Sequence, residues 1–156
     1  MQAPVAITDT TFASGSEALS PIMPVPTLLQ ECLELSFRAL HLHDDTLNVV
    51  RSRRSRLGDV SLRRARLAVL VAGKCGRDLM KTHRALAFTV NHHGVFIDEE
   101  EYVTKTIENA VAALEHVRRR LGLGEKIYND LVEDADVNVP ANGGRRRLTR
   151  KVLSIA

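Results

Sequence analysis

Leu33, Leu40, Leu47 and Arg54 stand seven residues apart, with Ser36, His43, Val50 and Leu57 falling between them. An alternation of threes and fours keeps its members on one side of a helix, and it persists over several turns where another helix lies alongside. The chain repeats the device twice. Leu62, Ala65, Val69, Gly73, Gly76, Met80, His83, Ala87 and Val90 form a second stripe, and Val103, Ile107, Ala110, Leu114, Val117 and Leu121 form a third. Aromatic residues make up only 4% of the chain and Trp is absent, so the core material is aliphatic and suits helix packing rather than strands.

Punctuation between the stripes predicts the helix ends. Thr27-Leu28-Leu29-Gln30 reads as a capping box that opens the first helix, and Gly58 closes it. A break at His43-Asp44-Asp45, where an aspartate would cap a fresh helix, is the competing boundary. The second helix opens at Asp59 or Ser61 and ends at Gly94, suited to the left-handed conformation, with Val95 packing back on Val90. The third opens at Asp98, with acids in its first turn, Glu101 at the capping-box position and an Ile97 to Tyr102 staple; Arg118, Arg119, Arg120 and Gly122 close it. A short fourth helix is expected from Glu125 to about Glu133.

The fold expected is therefore all-α, an antiparallel up-down helical bundle of three long helices plus one short helix. Residues 1–26, with Pro21, Pro24 and Pro26, read as a disordered leader, 27–136 as the bundle domain and 137–156 as a flexible basic tail. Such a bundle leaves part of a face uncovered, which suggests a homodimer. No basic residue precedes Arg38, and no apolar run nears the roughly 18 residues of a membrane span, so the expected location is cytoplasmic. The polar leader would also suit an export signal.

Charge is segregated along the chain. Residues 1 to 50 carry six acids and one base, whereas residues 51 to 66 carry seven arginines and one acid. Arg51, Arg53, Arg54 and Arg56 precede Gly58, and Arg63, Arg64 and Arg66 follow it. Those three would stand in the first turn of a helix, where the macrodipole disfavours a cation by roughly 0.3 to 1 kcal/mol. The up-down topology adds Arg118, Arg119 and Arg120 to the same pole. Seventeen arginines against five lysines suit planar, bidentate recognition of carboxylate or phosphate.

Three readings of that pole follow. Acids of the fourth helix (Glu125, Asp130, Glu133, Asp134) could neutralise it, an acidic protein partner could dock on it, or a nucleic-acid backbone could lie across it. The lack of aromatic residues beside the arginines speaks against base-specific recognition. The expected function is a non-enzymatic interaction module, an adaptor or regulatory subunit using the arginine pole and a helix seam; the alternative is a backbone-directed RNA- or DNA-binding protein. No cofactor is expected. His41/His43 and His92/His93 lack companion ligands at a diagnostic spacing, so no metal is expected either. Paired acids read as caps and solvated faces, and the string Ala72 to Arg77 lacks the spacing of a phosphate loop. Cys32 and Cys75, among apolar neighbours, read as buried reduced thiols.

Overall fold

A computed structural model describes residues 24–95 and 98–138. Its elements are α1 (Val25–Arg53), one turn of 3-10 helix (Arg54–Arg56), α2 (Asp59–Asn91) and α3 (Glu99–Val137), with no strand among the described residues. The leader up to residue 23, most of the tail and the Ile97 staple lie outside the described residues.

Helix count is the main correction. The expected fourth helix is the last third of α3, which passes through Gly122 and Gly124 without interruption. The physical reason is phase. Val103, Ile107, Ala110, Leu114, Val117 and Leu121 continue in unbroken three-four spacing through Gly124, Tyr128, Leu131 and Ala135. The two glycines cost about 1 kcal/mol each in helix propensity. Full burial of Leu131 and Ala135 beyond them offsets that cost.

Gly124 also has a packing role. A Cβ there would stand 2.6 Å from Leu42 Cδ2 and 3.4 Å from Val71 Cγ1, so α1, α2 and α3 converge at this point. Further contacts fix how the helices are staggered. Arg38 donates to both carboxylate oxygens of Glu125 at 2.8 and 3.0 Å, and Arg118 pairs with Glu31. Ser61 of α2 donates to Asp134 at 2.8 Å, and Asp78 lies 3.7 Å from Arg120. Partner numbers on α3 thus rise along α1 and fall along α2.

The helix ends differ from expectation in detail. α1 starts at Val25, two residues before the expected cap at Thr27, and makes no side-chain cap hydrogen bond. Pro26 is tolerated in the first turn because its missing N–H would have had no partner there. α1 does not break near His43. Gly94 takes φ +85°, as its place after α2 requires, while Val95 stays exposed. Asp98 makes no capping bond either. Glu99 instead accepts from the Gly94 N–H at 2.6 Å and meets His93 Nδ1 at 2.5 Å, and the backbone hydrogen bond, seconded by His93, holds its carboxyl below the usual range.

The buried stripe on α1 is Val25, Leu28, Cys32, Leu35, Ala39, Leu42 and Thr46, and on α2 it includes Ala65, Ala68, Ala72, Cys75, Leu79 and Leu86. Thr46, fully buried, donates its hydroxyl to Leu42 O at 2.6 Å, so the core carries no orphaned polar atom there. Both cysteines are buried and free, and burial pushes both thiols up.

Candidate interaction surface

Most of the stripes that the sequence singled out on the first two helices lie outside the core, with Leu57 and Ala65 the buried exceptions. Leu33, Leu40 and His43 of α1 and Gly73, Gly76 and Met80 of α2 line an open groove on the α1–α2 face. Leu47, Val50 and Arg54 face Leu62, Arg66 and Val69 in a second groove that continues toward the turn. The two follow one another along the same helix pair, a furrow in two parts whose second part holds Arg54 and Arg66. Leu33, Leu40 and Met80 are 48, 55 and 55% exposed, well beyond what a covered helix seam leaves.

Gly73 and Gly76 are not explained by the interior. A Cβ on Gly76 would meet nothing within 4 Å, and one on Gly73 would meet only the Arg77 guanidinium at 3.7 Å. Small residues at these positions leave the furrow floor open.

At the turn, the structure gathers the seven arginines from Arg51 to Arg66 on the last turn of α1, the 3-10 turn and the start of α2. α2 begins at Asp59, so Arg63, Arg64 and Arg66 lie past its first turn and the dipole penalty read from the sequence is largely absent. Arg51 and Arg53 close α1, where the dipole favours them. Among the described residues only Arg53 has a carboxylate, Asp136 of α3. Arg51, Arg54, Arg56, Arg63, Arg64 and Arg66 are exposed and make no ion pair among the described residues.

Arg118, Arg119 and Arg120 do not join them. Because α3 runs on to Val137, these three fall at its middle, where Arg118 meets Glu31, Arg119 meets Glu115 and Arg120 meets Asp78. Glu125, one of the acids expected to neutralise the pole, sits along the bundle on Arg38. The acids that do reach the turn are Asp134 and Asp136, bonded to Ser61 and Arg53.

Sequence reading missed the apolar neighbours of the arginines. Val60, Leu67 and Leu70 on α2 are 60, 50 and 68% exposed and share that side with Arg63 and Arg64. The seven-residue spacing of Val60 and Leu67 was the available signal. Elsewhere, His43 Nδ1 lies 2.9 Å from Asp44, and His92 Nδ1 is 2.9 Å from Phe88 O with its ring stacked on Phe88. No group of three or more potential ligands among the described residues could hold a metal ion, and no helix there is long and apolar enough to cross a membrane. The chain matches no family model, no curated protein and no solved structure.

Proposed function

We propose that this protein is a non-enzymatic interaction module, an up-down three-helix bundle whose arginine turn docks an acidic segment of a protein partner. The direction of the helices is supported by the contacts to α3, whose numbers rise along α1 and fall along α2. One observation carries the docking reading. The chain's own carboxylates, Asp136 on Arg53 and Asp134 on Ser61, already sit on this turn, and six further arginines around them have no carboxylate among the described residues.

Guanidinium groups interleaved with Val60, Leu67 and Leu70 favour a protein segment over a bare phosphate backbone. Arginine beside exposed apolar area is the composition of interface anchor points, whereas backbone binding needs charge alone. A cytoplasmic setting agrees with the absence of any membrane-spanning helix among the described residues.

The test is fluorescence anisotropy with labelled polyglutamate and with labelled mixed-sequence RNA and DNA, at about 50 and 200 mM salt. Polyglutamate binding lost in R63E/R64E/R66E, with helicity unchanged, is the expected result. Nucleic-acid binding that is tighter than polyglutamate binding and falls by about 10³ or more across that salt range would replace this reading with backbone-directed nucleic-acid binding.

A further inference from the structure

The open α1–α2 face has a bulky half and a hollow half. α1 presents Leu33 and Leu40 to the groove, with Phe37 exposed beside them, and α2 presents Gly76, with open space above it, and Gly73, a Cβ on which would meet only the Arg77 guanidinium. Leu42 and Val71 both lie against Gly124, so they share one height along the molecule. On the up-down reading above, α1 climbs as α2 descends. Two residues from that pair, Leu40 stands level with Gly73; five residues from it, Phe37 stands level with Gly76.

A two-fold axis parallel to the helices would lay α1 of one copy on α2 of another at equal height. Leu40 and Phe37 of each chain would then fill the hollows over Gly73 and Gly76 of the other. An axis across the helices would set α1 on α1 and α2 on α2, bulk against bulk and hollow against hollow. Away from the turn, charge agrees with that arrangement: residues 25–43 carry two acids and one base, and the residues 70–88 level with them carry four bases and one acid.

We infer that a second copy of this chain occupies the α1–α2 face, with the two-fold axis along the bundle and Leu40 and Phe37 of each copy seated over Gly73 and Gly76 of the other. The furrow from Leu33 to Arg54 is about 32 Å long at 1.5 Å per residue, and two helices side by side are roughly 20 Å wide. That footprint, roughly 600 Å² per copy before surface relief is counted, approaches the roughly 800 Å² per partner of a standard stable interface. The arrangement also brings both arginine turns to the same end, doubling the six unpaired guanidinium groups offered to one acidic partner.

Sedimentation equilibrium on the full chain tests this. The wild type should be a dimer, and G73L/G76L, which fills the hollows, should raise its dissociation constant about tenfold or more while circular dichroism reports unchanged helicity. Adding F37A/L40A to that chain should restore the dimer. Should the leucine variant fail to fold, G73A/G76A fills less space with a better helix former, and it should raise the thermal midpoint while weakening the dimer. A wild type that is monomeric at all concentrations overturns the inference, as does a dimer indifferent to these fillings. Filling without rescue overturns the axis. R63E/R64E, which spares the furrow-lining Arg66, should weaken polyglutamate binding and leave the dimer intact, so the two losses are read separately.

Discussion

α1 and α2 each carry two heptad stripes, and the two have opposite fates. The inner stripes, with Cys32, Leu35 and Leu42 on α1 and Ala72, Cys75 and Leu79 on α2, are sealed by α3. The outer ones, with Leu33 and Leu40 on α1 and Gly73, Gly76 and Met80 on α2, stand open beside them. A three-four repeat marks a face able to pack against a helix, but it does not say whether a helix is there. That depends on how many neighbours the fold supplies. Three helices in contact bury roughly one side of each, and a second packing stripe is left open among the described residues.

Stability measurements can break this contrast. Leu121→Ala, at a fully buried position of α3, should cost about 2 to 5 kcal/mol, read by urea unfolding. Leu70→Ala on the outer side should stay within about 0.5 kcal/mol. Similar losses at both sites would remove the distinction between the stripes.

Glycine sharpens the comparison through the sign of the effect. Gly124→Ala forces a methyl group against Leu42 and Val71, and overpacking of about 1 to 3 kcal/mol is only partly offset by roughly 1 kcal/mol of helix propensity. Net destabilisation in thermal unfolding is expected. Gly76→Ala meets nothing within the chain and should stabilise the fold by up to about 1 kcal/mol at concentrations too low for dimerisation.

The exposed pair Arg53–Asp136 is a smaller lever. Asp136→Asn should lower stability by no more than about 1 kcal/mol, yet tighten polyglutamate binding by freeing Arg53. Weaker binding in that variant would mean that Asp136 organises the turn rather than competing for it. The smallest expected effect belongs to Glu99. Its carboxyl is depressed in the fold, so its contribution is complete above the ordinary glutamate pKa of about 4.3 and is lost as pH falls through the lower folded value. Thermal midpoints measured between about pH 5 and pH 3 should therefore fall slightly less steeply in Glu99→Gln than in wild type.

Legibility of the fold followed the physics of each signal. The α2 boundaries were readable because Gly58, Asp59 and Gly94 act locally, through backbone conformation and first-turn charge. Gly122 misled because a glycine stops a helix only when nothing beyond it needs the helix to go on. Gly124 sits in phase with Leu121 and Leu131, a relation visible only when the third stripe is counted past the glycines. That one error also displaced Arg118, Arg119 and Arg120 from the middle of α3 to the turn.

Chain order alone determined that the protein is helical, where the α1–α2 turn falls and that seven arginines crowd it, because periodicity, backbone propensity and nearest-neighbour charge act within a few residues. Tertiary structure decided which stripe became core, which acids reached the turn and which arginines have no ion pair among the described residues. Those outcomes depend on the stagger of α3 against α1 and α2, and the stagger is fixed by contacts between residues far apart in sequence, such as Gly124 with Leu42 and Val71.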